Sequence, residues 1–402
     1  MDMTHTRFIH CADLHLDSCM ESHLSPLQAQ RRRQELLQTF SHMTAYAASH
    51  HVRGILISGD LFDTEQVSLS TISELLHCIH EHPQIDFLYL PGNHDSGCIS
   101  RLFISMDLPD NFWFLRSCQA AALFHSEDSK DIPSSVFMAE DNSVSEHTVP
   151  GKSYGSIRIT GLTGDISELP VLPPSQINVV MLHGQIDTYG TDHSSDNIFH
   201  YSLKEMSGHN IDYAAAGHIH QYHSGRIDSR GVYCYSGCLE GRGFDECGEK
   251  GFVLLDIVSD EHDGLSRLDF QFIPFASRYF YDIGIDITGA DSYRFIEQKA
   301  DAVLSSIASI HLVRVKLNGK ISPDLNPHPD WLQQRYSEDF YFLRIEDHTR
   351  PVIHYEDYRY DSSLKGEFIR LVLSAPDLSE EDKEKIILEG IHSLSGEEVL
   401  LG

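Results

Sequence analysis

A chain of 402 residues, 41% of them hydrophobic, is long enough for two or three domains and buries a substantial core. Sixty acidic residues against thirty basic give a formal charge of −30, which keeps the protein soluble and works against unaided affinity for polyanions. The first residues lack a basic stretch followed by an apolar one, no apolar run approaches bilayer length, and eight scattered cysteines form no Cys-x-x-Cys pair; together these point to a reduced, cytoplasmic protein without a membrane association.

The first strand is expected at Arg7–Cys11, running into Cys11-Ala12-Asp13-Leu14-His15. Asp13 and His15 are two apart, so extended geometry would point them to one side. Ser25-Pro26 reads as N-cap and first helical residue, and Leu36, Phe40, Met43 and Ala47 follow at helical spacing. The central stretch is Gly54–Asp63. Its apolar half predicts a strand buried on both faces, and it breaks at Gly59 to present Asp60, with Asp63 three residues on. A helix over Leu69–His80 and a strand over Asp86–Leu90 come next, the latter delivering Pro91-Gly92-Asn93-His94-Asp95. Three strand-to-loop transitions joined by helices predict a parallel βαβ-built sheet, an α/β fold with its chemistry on the rim.

From about Ala120 to Tyr154 the chain is polar and reads as loops and short hairpins. Strands resume at Ser156–Gly161, Ile177–Leu182 (leading into His183) and Tyr213–Ala216 (leading into His218 and His220). Further strands are expected at Gly231–Ser236, Gly251–Val258 and Leu268–Ile273. A boundary near Pro274 divides a catalytic domain, residues 1–274, from a small α+β cap, 275–361. The cap has strands at Tyr279–Ile287, His311–Leu317 and Phe340–Ile345 around a helix at about Ser292–Ile307. Residues 362–402 hold two helical patterns, Leu364/Phe368/Leu371 and a Ser379-capped Ile386/Ile387/Ile391.

Five segments thus end strands with Asp, Asn or His: Asp13/His15, Asp60/Asp63, Asn93/His94, His183 and His218/His220. Singly, each has an ordinary explanation, because Asp and Asn form turns and a lone histidine is usually a satisfied polar group. Their recurrence after successive apolar strands points to one metal-binding rim, with Asp60 bridging two ions.

Asp-x-His, Gly-Asp-x-x-Asp, Gly-Asn-His-Asp, His-Gly and Gly-His-x-His, in this order over about residues 7–221, resemble the calcineurin-like metallophosphoesterases. The resemblance implies an α+β sandwich. It also implies that Asp13, His15, Asp60 and His220 hold a first metal and Asp60, Asn93, His183 and His218 a second. His94 resembles the histidine that protonates or stabilises the leaving oxygen, with Asp63 orienting its ring, and Asp95 would support the ligands from behind. Carboxylate, amide and imidazole donors without thiolate suit two divalent ions, Mn²⁺ first, with Fe or Zn also accepted. Such a pair, about 3.5–4 Å apart, clamps a phosphate and activates water at neutral pH.

The protein phosphatases of this superfamily carry Gly-Asp-x-Val-Asp-Arg-Gly and Gly-Asn-His-Glu, whereas here Leu61-Phe62 lie inside the motif, Thr64 follows it and Asp95 replaces the Glu. The stretches Phe8–Ser18, Tyr235–Cys238, Glu240–Glu246 with Lys250-Gly251, and Phe275–Arg278 are instead similar to the SbcD-type DNA repair exonucleases, nearest their YhaO-like branch. What that implies is a manganese-dependent DNA phosphodiesterase, a homodimer, partnered by an SMC-like ATPase of the SbcC kind that residues 362–402 would dock. Basic residues for phosphate are few: Arg31-Arg32-Arg33, which reads more readily as a solvated helix face, and Arg242, between glycines near the site. The other readings are an esterase for a small or lipid-linked phosphodiester, and a non-catalytic scaffold for the ATPase. Retention of every metal ligand speaks against the scaffold.

Overall fold

The computed structural model describes residues 3–20, 24–63, 67–94, 108–115, 151–154, 157–187, 198–260, 266–322, 325–352, 358 and 360–394. By compactness the chain divides into two units. The first comprises Met1–Asp282, Ser309–Arg314 and Phe340–Phe342, and the second Ile283–Ala308, Val315–Asp339 and Leu343–Gly402.

The first unit contains two six-stranded sheets. One is built from β1 (Met3–Cys11), β2 (Val52–Ser58), β3 (Asp86–Leu90) and β4 (Phe112–Phe114). The other gathers β5 (Gly151–Tyr154), β6 (Ile157–Leu162), β7 (Ile177–His183), β10 (Tyr213–Gly217), β11 (His223–Arg226) and β12 (Val232–Tyr235), while β8 (Gln185–Ile186) and β9 (His200–Tyr201) form a small ladder of their own. β13 (Gly251–Asp260) and β14 (Ser266–Pro274) complete the first sheet, whose order is β14-β13-β1-β2-β3-β4; the second runs β11-β12-β10-β7-β6-β5. β1, β2, β3 and β4 pair in parallel, as do β6, β7, β10 and β12. The outer strands β13, β14, β11 and β5 are antiparallel.

Strand periodicity explains why the sheets stack. Phe8, Leu56, Leu88 and Leu90 point into a core shared with Ile159, Val179, Met181 and Ala215 of the second sheet. Their neighbours Ile9, Ile55, Ile57, Phe87 and Tyr89 point the other way, onto the helices α1 (Pro26–Ser49) and α2 (Leu69–His80). Each such fully buried side chain contributes about 1.5–3 kcal/mol. α1 begins where its sequence predicts: Ser25 and Gln28 form a reciprocal capping box with Pro26 at the first turn. Its buried stripe is Leu36, Phe40, Met43 and Ala47, extended by Arg32.

That last residue corrects the expectation of a solvated basic face. Arg31 and Arg33 are exposed, but Arg32 is fully buried, donating to Glu35, to Oε2 of Glu240 at 3.1 Å and to the Gly241 carbonyl at 2.9 Å. A guanidinium in that position holds the fold together and is no phosphate contact.

The last sheet is β15 (Phe280–Asp286), β16 (Leu312–Ile321) and β17 (Phe342–Pro351), in the order β15-β16-β17. A helix at Tyr293–Leu304 buries Ile296, Ala300 and Leu304. A second, Pro329–Tyr336, has no counterpart in the sequence reading; it is short and buries only Leu332 and Tyr336, with Trp331 exposed. In the C-terminal helices Leu364–Leu373 and Glu380–Leu394 the packing face keeps Phe368, Ile387 and Ile391 of the expected stripes and drops the rest. Leu364 and Leu371 are exposed, and Ile369, Val372 and Ile387 form the contact, with Phe368 and Ile391 at its edge. The two helices therefore bury their apolar residues against each other. Among the described residues no helix is long and apolar enough to cross a membrane. The region expected to hold loops up to Tyr154 falls outside the described residues except for β5, and Asp95 lies outside them too.

Candidate metal centre

Every expected site segment leaves the C-terminal end of a parallel strand: β1 before Asp13 and His15, β2 before Asp60 and Asp63, β3 before Asn93 and His94, β7 at His183, and β10 before His218 and His220. The two sheets bring these ends to one rim, and the rims are tied by hydrogen bonds. The Asp13 N–H donates to the Gly59 carbonyl at 3.1 Å, and the His218 N–H donates to both Asp13 carboxylate oxygens at 3.0 and 3.1 Å. The His94 N–H donates to Oδ1 of Asp60 at 3.0 Å.

The backbone here is not the extended chain expected for Asp13 and His15. Both are left-handed (φ 52° and 43°), as is Asp60 (φ 49°), and His218 has φ 100°. Asp and His tolerate this region better than most residues, and such conformations cost about 1–3 kcal/mol where the surroundings enforce them. The convergence survives because the loop is pinned to its neighbour: the His15 N–H donates to the Asp60 carbonyl at 3.0 Å, and the Leu16 N–H to that of Leu61 at 2.9 Å. Two glycines make room. A Cβ on Gly59, itself at φ 89°, would strike the His183 ring, and one on Gly92 would strike the Asp60 carboxylate.

In three of the expected ligand histidines an acceptor faces one ring nitrogen. Nδ1 of His183 lies 2.9 Å from the Ser58 carbonyl, and Nδ1 of His220 lies 2.6 Å from Oε1 of Glu246. Nδ1 of His15 lies 3.1 Å from Oδ1 of Asp63, though not aligned for a full hydrogen bond. These partners favour the N–H on Nδ1 and leave each Nε2 as a lone-pair donor. The Nε2 atoms converge. Those of His15 and His220 are 3.2 Å apart, and that of His183 is 2.9 Å from the Asn93 side chain and 3.4 Å from Oδ2 of Asp60. The same Asp60 oxygen is 3.8 Å from Nε2 of His15, so it stands between the two groups.

Lone pairs brought together in this way need positive charge among them. The titration of the site expresses that need. Burial would lower His183, but its hydrogen bond to Asp60 and the charges of Asp60 and Asp13 raise it to about 9. Burial would raise Asp60, yet His183, His15 and the His94 N–H hold it well below the usual carboxylate range. His220 is pulled down by burial and raised further by Glu246, whereas burial lowers His15 and, with the charge of His183, takes His218 to about 4. Asp13/His15/His220, Asp13/Asp60/His183 and His15/Asp63/His94 each bring possible ligand atoms within 4.8 Å of one another. All are nitrogen and oxygen donors, and they fit divalent cations of intermediate hardness.

Two expected site residues meet partners that the sequence does not name. Nδ1 of His94 lies 3.1 Å from the backbone carbonyl of Asp63, not from its carboxylate. That carboxylate is drawn off by Arg242 (Nη1 to Oδ1, 2.5 Å), by Ser18 and by His15, with burial opposing and these partners lowering its pKa to about 2. Arg242, expected to meet substrate phosphate, has its guanidinium in ion pairs with Asp63 and Glu246. Glu246 has no role that the sequence reading assigns. It is buried and held ionised by His220 and Arg242 against the cost of burial; in the sequence it stands out only as the last residue of the Glu240–Glu246 stretch. Asp60, His94, His218, His220, Glu246 and Lys250 are among the residues lining a cleft of about 340 Å³ at the site.

A fold of two stacked mixed sheets with Asp, Asn and His donors gathered on one rim is the arrangement of a metallophosphoesterase. Residues 6–222 match the family model described as calcineurin-like phosphoesterase, and the chain belongs to that family. It is similar to the uncharacterized metallophosphoesterase YhaO of Bacillus subtilis (strain 168), with 24% identity over 370 residues, 86% of this chain and 83% of that one. Among solved structures it resembles TT1561 of Thermus thermophilus (9% identity, TM-score 0.35, 66% of this chain and 99% of that one). It also resembles a dimetal phosphatase from Danio rerio (12% identity, TM-score 0.37, 67% and 99%).

Proposed function

We propose that this metallophosphoesterase is a DNA phosphodiesterase of the SbcD type, using two Mn²⁺ ions and acting at DNA ends with an SMC-like ATPase. The observation that carries the dimetal part is the placement of Asp60 Oδ2 between the imidazole nitrogens of His15 and His183. Asp13, His15, Asp60 and His220 would hold one ion, and Asp60, Asn93, His183 and His218 the other. Bound there, the ions supply charge to the phosphate and lower the pKa of water toward neutrality. Around them the chain positions and shields. Ser58, Glu246 and Asp63 hold the ligand rings, and His94, on the exposed side of the cleft with Nδ1 held by the Asp63 carbonyl, presents Nε2 to the leaving oxygen and holds its proton.

The DNA substrate is supported by the similarity of the Glu240–Glu246 and Phe275–Arg278 stretches to SbcD-type enzymes, and homodimerisation rests on the same similarity. For an ATPase partner, the exposed Leu364 and Leu371 offer an apolar strip on the C-terminal helix pair. The net charge of −30 favours a division of labour in which the partner provides most DNA affinity, and it also keeps alive a second reading, turnover of a small or lipid-linked phosphodiester.

End-labelled duplexes and hairpins incubated with Mn²⁺, with and without the ATPase, test the proposal. Product ladders from the labelled ends support it; efficient cleavage of a small diester with intact DNA would replace it with the second reading.

A further inference from the structure

Arg242 sits where two carboxylates meet. Its Nη1 reaches Oδ1 of Asp63 at 2.5 Å, its Nη2 reaches Oε1 of Glu246 at 2.9 Å, and its backbone N–H donates to Oε2 of Glu246 at 2.7 Å. Those carboxylates face the outer nitrogens of two candidate ligands. Glu246 Oε1 is 2.6 Å from Nδ1 of His220, and Asp63 Oδ1 is 3.1 Å from Nδ1 of His15. The inner nitrogens of the same two rings are 3.2 Å apart. The contacts close a ring: Arg242, Asp63, His15, His220, Glu246 and back to Arg242.

We propose that Arg242 is a positioning residue that locks the His15/His220 half of the centre, fixing through Asp63 and Glu246 the orientation of both imidazoles toward a single cation. The inference rests on the dimetal reading above and deepens it. A planar guanidinium spans two carboxylates with separate N–H groups, a geometry that a single ammonium does not reproduce. It also balances two negative charges that would otherwise repel each other beside the site.

The rest of the centre does not depend on it. His183 is fixed by the Ser58 carbonyl, and His218 through its backbone N–H on Asp13. The His220 backbone is held separately, its carbonyl accepting from Nζ of Lys250 at 2.7 Å. Removing Arg242 therefore frees two rings and leaves the strand ends in place, so its effect should fall on one ion of the pair.

The test is Mn²⁺ binding to the full chain by titration calorimetry, with electron paramagnetic resonance to distinguish a coupled ion pair from isolated ions. Wild type should take up two Mn²⁺ and give a coupled signal. In Arg242→Lys one affinity should fall by about 10–100-fold while the other holds. The coupled signal should give way to isolated Mn²⁺ at the same metal concentration, and saturating Mn²⁺ should restore KM for bis(p-nitrophenyl) phosphate. Arg242→Gln combined with Glu246→Gln, which leaves no second unpaired carboxylate, should do the same, and circular dichroism checks its fold. Two unchanged affinities with a raised KM would overturn the proposal and make Arg242 a substrate contact while leaving the dimetal reading intact. A wild type that binds fewer than two Mn²⁺ would remove that reading, and the arginine's role with it.

Discussion

His15 and His220 come from opposite sheets, 205 residues apart in the chain, and meet with their Nε2 atoms 3.2 Å apart. Both outer nitrogens face carboxylates, so the inner ones face each other as lone pairs unless a cation or a proton lies between them. Divalent metal should accordingly stabilise the fold as well as enable catalysis. Added Mn²⁺ at about 100 times its dissociation constant should contribute about 2.7 kcal/mol per independent site and raise Tm, and a chelator should reverse the shift. Scanning calorimetry checks this; a Tm indifferent to both additions would argue that no cation belongs there.

His94 lines the cleft and, in the proposed arrangement, holds no metal. His94→Ala should lower kcat for a phosphodiester by about 10²–10⁴-fold, with Mn²⁺ content and circular dichroism unchanged. Metal analysis beside the kinetics separates this from loss of a ligand: if Mn²⁺ is lost along with activity, the proton-holding role is wrong. Asp63→Asn, by contrast, should disturb His15 and Arg242 before His94, because only the backbone carbonyl of Asp63 meets that ring.

The strand ends are legible in the sequence because chemistry and burial change at the same residue. An apolar run closing on Asp60, Asn93 or His183 announces both the strand and the rim. What sits behind the ligands is not legible. Glu246 lies in irregular chain between β12 and β13, and Ser58 orients His183 through a carbonyl, which has no side-chain signature. The left-handed turns at Asp13 and His15 escape a reading by alternation because alternation assumes an extended chain. Arg32 is within reach of sequence reasoning: extending the Leu36, Phe40, Met43 stripe back by four residues places it on the buried face, but its cationic neighbours favour solvent. In the helix Leu364–Leu373 more than one apolar stripe is available, and only contact with Ile387 selects Ile369 and Val372.

Arg32 and Glu240 are fully buried and paired at 3.1 Å, with Oε1 of Glu240 accepting from Thr39 and from the Ser277 N–H. Glu240→Ala leaves a buried guanidinium short of one of its two carboxylates, and should destabilise the fold by about 3–5 kcal/mol. Urea denaturation measures it. A loss near zero would mean that Glu35 alone compensates Arg32.

His10 provides a pH dependence away from the metal centre. It is fully buried in β1, with Nδ1 2.9 Å from the Tyr213 hydroxyl, and burial, partly offset by the Ala216 backbone, takes its pKa from 6.5 to about 3. The unfolded chain therefore binds a proton below pH 6.5 that the folded chain refuses until about pH 3. Stability from this residue is complete above pH 6.5 and is lost as pH falls through the window, at up to about 1.4 kcal/mol per pH unit. His10→Gln retains a polar partner for Tyr213 and removes the titration. Its stability relative to wild type should improve by roughly 2 kcal/mol between about pH 7.5 and pH 5, whatever its offset at neutral pH. Urea titrations of both proteins at the two pH values decide the matter, since other groups titrate alike in each. A difference that stays constant with pH would mean that His10 accepts its proton inside the folded protein.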